Sequence, residues 1–173
     1  MTLIELLMAL TMLTFGMAGT IILISTAIAS NGRSKADTGG TFLAQLVIDE
    51  LSAVPAHQNI SVPITDCSGN TTSLNTTGSA TGTGATLDSS GTIDYTQNFT
   101  AVATGYRMTY IGCGPDDARP TYEVRVHVRN LTTIGSTTYT KLIVVSARRM
   151  GATTATSLRF FSPPVTLRTI TGT

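Results

Sequence analysis

Residues 1–29 read MTLIELLMALTMLTFGMAGTIILISTAIA, and one charge, Glu5, interrupts a stretch that is otherwise apolar, small or hydroxyl-bearing. From Leu6 to Ile28 no side chain ionises. At about 1.5 Å of rise per helical residue, that run is long enough to cross a bilayer core of roughly 30 Å. The stretch therefore reads as a membrane-spanning helix. A buried core helix is the first competing reading, and the length and near absence of charge oppose it. A secretory signal peptide is the second, and it needs a basic start, a short apolar centre and a small-residue cleavage site. Here no Lys or Arg precedes the run, and the first basic residues, Arg33 and Lys35, follow it. The positive-inside tendency would place that basic end in the cytoplasm. The Thr-rich body and the two cysteines point instead to export, which is reconciled if a basic leader precedes Met1 and is removed.

Glu5 needs its own explanation. One turn into a helix, a carboxylate gains about 0.3–1 kcal/mol from the macrodipole. Burial in apolar surroundings costs several kcal/mol unless a partner is present.

Met1-Thr2-Leu3-Ile4-Glu5-Leu6-Leu7 and the apolar run behind it resemble the mature N-terminus of bacterial type IV pilins and type II secretion pseudopilins. In that family a leader ending in Gly is cleaved by a prepilin peptidase. The new first residue, usually Phe, is methylated, and Thr-Leu-Ile-Glu-Leu follows it. Thr2 to Leu6 match, and Met1 stands where Phe is usual. The resemblance implies an α+β, pilin-like fold: a long N-terminal helix, membrane-spanning in its first half, packed on an antiparallel sheet. It also implies a subunit held in the inner membrane as a precursor. Pilus assembly machinery would then build it into a homo-oligomeric extracellular filament. Met1 becomes the site of processing and N-methylation, and Met1, Thr2 and Glu5 become assembly residues. Glu5 would pair with the free amine of Met1 on a neighbouring subunit and so act as a register pin. Its other reading is an end-of-helix residue that reaches solvent without a partner.

Gly16 and Gly19 lie inside the span, near Thr11, Thr14 and Thr20. Each Gly costs a helix about 0.5–1 kcal/mol relative to Ala, and small residues let helices approach closely. Helix extension on assembly, which the resemblance implies, and close packing without it are both open.

The 173 residues allow one globular domain behind the span. Four segments are expected: the span at 1–29, an amphipathic helix at 30–55, a Ser/Thr/Gly-rich surface loop at 56–97 and an antiparallel β domain at 98–173. In the second, Phe42, Leu43, Leu46, Val47, Leu51 and Val54 recur at spacings of three and four, and Pro55 closes the helix. Taken from Leu3 to Val54, that helix would be about 80 Å long. Only 12% of residues are charged, so solubility rests on hydroxyls and on any attached O-linked sugar. Five Asn-x-Ser/Thr matches, at Asn59, Asn70, Asn75, Asn98 and Asn130, are mostly chance in so Thr-rich a chain.

Strands are expected at 99–111, with Gly105 a bulge, at 122–129, 139–149, 157–161 and 165–170, with a hairpin turn around Gly135. In Tyr122-Glu123-Val124-Arg125-Val126-His127-Val128-Arg129 the alternation predicts the apolar residues inside and the charged ones in solvent. This hairpin also resembles the sheet of the minor pilins and pseudopilins that prime filaments. Cys67 and Cys113 are an even pair in an exported domain, so a disulfide is expected, contributing about 4 kcal/mol by loop closure. A metal pair is the competing idea, without the His neighbours that zinc needs.

No catalytic constellation, cofactor motif or phosphate-cradling loop is present, and an enzyme is not expected. His127 falls on the solvent side of its strand, and Asp116-Asp117 makes a polar turn. Two classes of function follow. One is a structural filament subunit, either the major component or a minor one that primes or caps the filament. The other is a nucleic-acid or polyanion binder, with Arg125, Arg129, Arg148 and Arg149, and Arg107 beside them, forming a basic surface. Adhesion, motility, DNA uptake and secretion roles are all compatible with either.

Overall fold

Helix α1 runs from Leu3 to Ser52 and passes through Gly16, Gly19, Gly32, Gly39 and Gly40 without a break. The computed structural model describes residues 3–114, 119–135, 137–151 and 163–172. The observed fold is α+β, and chain contacts divide it between Lys35 and Ala36 into two compact units. The first unit is the apolar part of α1. The second carries the end of α1 and every described strand.

Within the second unit, α1 buries Leu43, Ala44, Val47, Ile48 and Leu51, a stripe at helical spacing. The expected stripe is rotated: Phe42 is 68% exposed and Leu46 half-buried, while Ala44 and Ile48 take their places. The helix ends at Ser52, and Pro55 stands three residues beyond it. Gly39 and Gly40 mark where the helix meets the sheet. A Cβ on Gly39 would run into the Tyr122 hydroxyl, and one on Gly40 would stand 3.6 Å from Val165.

The strands are β1 (Ser61–Thr65), β2 (Thr71–Asn75), β3 (Thr83–Gly84), β4 (Arg107–Ile111), β5 (Thr121–Ile134), β6 (Thr137–Arg149) and β7 (Val165–Gly172). β1 and β2 form a separate hairpin, and the larger sheet has the order β3-β5-β6-β7. β3 and β4 share one edge of β5, β4 against Thr121–Arg125 and β3 against His127 and Val128. All these pairings are antiparallel. On the face toward α1, Val124, Val126 and Val128 stand opposite Ala147, Val145 and Ile143. All six are buried, and they form one core with the helix stripe. Gly135 turns β5 into β6 at φ +62°, a conformation that favours glycine.

Residues 56–97 carry more structure than a surface loop. They contain β1, β2 and β3, and they bury Val62, Ile64, Leu74, Ala85 and Ile93. Apart from Ile60, which is exposed, the few large apolar residues face inward, and averaged composition dilutes that signal. The strand expected from residue 99 begins at Arg107. Phe99–Ala101 is instead a 3-10 turn whose N-cap, Asn98, accepts from the Thr100 amide. Gly105, at φ +88°, precedes β4 and its carbonyl accepts from the Asn75 amide at 2.7 Å, so it is a turn residue and not a bulge. The strand expected at 157–161 and the turn at Asp116-Asp117 lie outside the described residues.

Cys67 and Cys113 are joined, with Cα atoms 5.1 Å apart, tying the β1–β2 turn to the chain just beyond β4. The Cys67 amide donates to the Ile111 carbonyl at 3.1 Å beside them. At the far end of the sheet Lys141 is 2% exposed. Its Nζ donates to the Gln58 carbonyl, Asn59 Oδ1 and the Thr76 carbonyl at 2.8–2.9 Å, and burial lowers its pKa. It links β6 to the segment after α1 and to the residue after β2.

Residues 85–101 form a strap across the face of the sheet that α1 leaves open. The strap's own turn is made by Asp88. Its carboxylate accepts from the Ser90 hydroxyl at 2.6 Å and amide at 2.9 Å, and from the Thr92 hydroxyl at 2.5 Å and amide at 2.8 Å. The Ser90 and Thr92 hydroxyls are the leading reason its pKa falls from 3.8 to about 2.

Two outcomes follow from this packing. Replacing Cys67 and Cys113 together by Ser should lower the unfolding free energy by about 2–4 kcal/mol in urea titrations. Asp88 has a depressed folded-state pKa, so its contribution is present above pH 3.8 and is lost as pH falls toward about 2. Asp88→Asn should therefore lower the urea midpoint above pH 3.8 and flatten the acid limb of its plot against pH between 3.8 and about 2.

Candidate assembly helix and arginine face

Leu3–Ile28 is 26 residues long, apolar enough to cross a membrane, and none of it is buried within the chain. Its large apolar side chains do not form a stripe. Leu6, Leu7 and Met8 are all more than half exposed, as are Ile21, Ile22, Leu23 and Ile24, and each of these runs spans most or all of a helical turn. The hydroxyls among them are satisfied by the helix itself. Thr11 donates to Met8, Thr14 to Thr11, Thr20 to Met17 and Ser25 to Ile21, each to the carbonyl at 2.8 Å. Thr26 reaches the carbonyls of Ile22 and Leu23. Such back-bonding removes the cost of placing a hydroxyl in an apolar medium.

Glu5 sits in the first turn of α1, the end where the macrodipole favours an anion. Met1 and Thr2 lie outside the described residues. At Gly16 and Gly19 nothing stands within 4 Å of where a Cβ would be. The chain itself makes no close approach at either glycine.

The arginines are arranged otherwise than the alternation of β5 predicts. Tyr122, Val124, Val126 and Val128 do face the core, but Glu123, Arg125 and His127 are buried too, at 3%, 1% and 7% exposure. The cause is the strap, which covers the second face. Arg125 Nη1 donates to the carbonyls of Asp94 at 3.0 Å and Gln97 at 2.8 Å, and its guanidinium lies 4.6 Å from the centre of the Tyr95 ring. It is ion-paired with Glu123. The other oxygen of Glu123 takes Arg148 Nη2 at 2.9 Å, and that guanidinium lies 4.3 Å from the same ring. The Tyr95 hydroxyl donates to Ser146 Oγ at 3.0 Å, and burial raises its pKa. One carboxylate between two guanidinium groups against an aromatic ring is a satisfied cluster, and it clamps the middle of the strap.

The neighbouring basic side chains do the same work. Arg107 Nη1 donates to the Phe99 carbonyl at 2.7 Å, Arg168 Nη2 to the Ser90 carbonyl at 3.0 Å and Arg129 Nε to the Ala80 carbonyl at 3.0 Å. His127 Nδ1 lies 2.7 Å from the Ala85 carbonyl, and the solvent position expected for it is corrected accordingly. The sheet thus holds residues 80–99 by their main chain.

A basic surface of Arg125, Arg129, Arg148 and Arg149 is therefore not assembled. Arg125 is inside and Arg148 is committed to Glu123. Arg129 and Arg149 are exposed, but Arg129 stands opposite Leu142 and Arg149 opposite Tyr122. Seven residues of strand separate those positions, roughly 23 Å, and they point to opposite faces. The sequence did carry a signal for the clamp, since Tyr95 and Phe99 are aromatic residues in an otherwise polar stretch. Among the described residues no group of three His, Cys, Asp or Glu is placed to hold a metal ion.

Neither the models of known protein families, nor the curated proteins, nor the solved structures include a match to this chain.

Proposed function

We propose that the chain is a structural subunit of a pilus-like extracellular filament. Leu3–Ile28 holds it in a membrane before assembly and packs with the same helix of other copies afterwards. The observation that carries this reading is the apolar surface on every side of that helix. A helix with one apolar stripe is completed by a single partner face, whereas one apolar all round needs lipid or a ring of neighbours. A membrane anchor alone would account for the lipid stage and would leave Glu5 without a purpose. In a bundle of such helices, an acid in the first turn pairs with a cation supplied by an adjacent copy, and the amine of Met1 is the nearest one by sequence. The pairing fixes register because any other stagger buries an unpaired carboxylate. The self-contained second unit, with its own core and disulfide, is suited to export beside that helix.

Glu5→Gln tests this directly. The variant should remain in the membrane fraction at the wild-type level, while the filament fraction released by shearing falls by about tenfold or more. Undiminished filaments of Glu5→Gln would defeat the pairing account, and a filament fraction that does not contain this chain would defeat the subunit reading.

A further inference from the structure

Of the two histidines, His57 is exposed and His127 is buried. Nδ1 of His127 faces the Ala85 carbonyl, which can only accept, so the hydrogen of the neutral ring sits there. Nε2 is then a lone pair, buried without a hydrogen-bond partner. Gly82, at φ +95°, lies against that edge of the ring, and a Cβ on it would stand 2.3 Å from Nε2. The neutral ring therefore donates where a carbonyl waits and has nothing to donate where no acceptor stands.

A second proton would place an N–H and a positive charge at Nε2, against Gly82 and with no acceptor, an arrangement that is costly in the interior. Among the described residues no carboxylate on this face is free to pair with it. The neighbours of His127 along β5 are Arg125 and Arg129, and Glu123 beyond them is shared between Arg125 and Arg148. β4 adds Arg107 opposite Arg125, and β7 adds Arg168 opposite Val144, in the row of His127. On the strap, Asp88 is taken up by Ser90 and Thr92, Asp94 bonds Thr96, and the Tyr95 hydroxyl bonds Ser146. Tyr106, beside Gly84, donates to the Thr77 carbonyl at 2.6 Å, and burial raises its pKa. Residues 76–87 contain no ionisable side chain. The segment over the ring is also thinly anchored. Residues 79–85 meet β5 through the Thr83 and Gly84 pairings, the Asn130 amide on the Ser79 carbonyl, the Ala85 amide on the Val126 carbonyl and Arg129 Nε on the Ala80 carbonyl. Of their side chains only Ala85 is in the core. Opening so lightly held a segment costs less than unfolding the sheet.

We infer that His127 is a pH latch: its neutral ring holds residues 79–85 shut against β5, and on taking up a proton it releases them while the sheet stays folded. Only the released form offers the second N–H a partner, in solvent, so acid favours release. Histidine changes charge between about pH 8 and 5. The closed form belongs to the upper end of that range and the released form to the lower. Gly82 and Ala85 also line a cleft of about 400 Å³ shared with Thr86, Leu87 and Arg129. Release therefore sets an imidazolium beside Arg129 at the surface. The latch uses neither Glu5 nor the apolar helix, so it stands apart from the filament reading.

Hydrogen exchange of the full chain in detergent micelles, corrected for the intrinsic rate at each pH, reads the latch through the amides of Ala85 and Asn130, which bond across it. Their protection should fall by about tenfold or more between pH 8 and pH 5, while the amides that pair β5 with β6 keep theirs. His127→Gln retains a donor and takes up no proton in this range, so it should remove the fall, and His57→Gln should preserve it. The wild type alone supplies a second measurement: the His127 ring resonances should shift with the same midpoint as the protection of Ala85. Unchanged protection in the wild type would overturn the inference, as would an equal fall in His127→Gln or two separate midpoints. A fall that includes the β5–β6 amides would be unfolding of the whole unit and likewise overturn it.

Discussion

The apolar part of α1 has no polar face and is not covered by its own chain, and that exposed surface is the constraint the architecture has to meet. Leu3–Ile28 leaves its large side chains exposed in every direction. At about 25 cal/mol per Å² of apolar area, such a surface is strongly driven out of water. The remaining residues must therefore fold without borrowing from it. They do so with a separate core, built on the last third of α1 and the sheet, and with a disulfide that closes the hairpin of β1 and β2 onto the end of β4.

The second unit is covered on both sides by different physics. Toward α1 the contacts are those of an ordinary apolar core, with valines and isoleucines of β5 and β6 against a helix stripe. Toward the strap they are hydrogen bonds from guanidinium and imidazole groups to main-chain carbonyls, with Tyr95 stacked beside Arg125 and Arg148. A carbonyl looks the same in every residue, so this face holds the path of the strap and leaves its outward side chains free to be Ser, Thr and Asp. The arrangement also explains how a domain with few large apolar residues seals two faces of a sheet. The charge cluster is closed by Glu123, without which the buried Arg125 guanidinium would lose its ion-pair partner beside the half-buried Arg148.

Much of the fold is legible in the sequence. The helix, its end before Pro55, the hairpin around Gly135, the strand from Val165 and the Cys67–Cys113 pair all follow from local periodicity, turn chemistry and cysteine count. Where the reading missed, the missing information was about what lies on the other side of a surface. Phe42 has the right spacing for a core position, but Ala44 and Ile48 turn inward instead, because Gly39 and Gly40 fix the rotation of α1 against Tyr122 and Val165. Residues 56–97 average as polar, and the inward placement of Ile64, Leu74 and Ile93 is not visible in an average.

By itself the sequence determined the apolar helix, its single acid and the alternation of β5, because each depends only on residues adjacent in the chain or one turn apart. Whether Arg125 met water or a carbonyl depended on a strap whose contact atoms, at Asp94 and Gln97, are 31 and 28 residues away. Alternation tells which side chains share a face of a strand; it carries no term for whether a distant segment covers that face. Only the tertiary structure decided that both faces of β5 are interior from Tyr122 to Val128, and that its arginines bind the chain's own backbone.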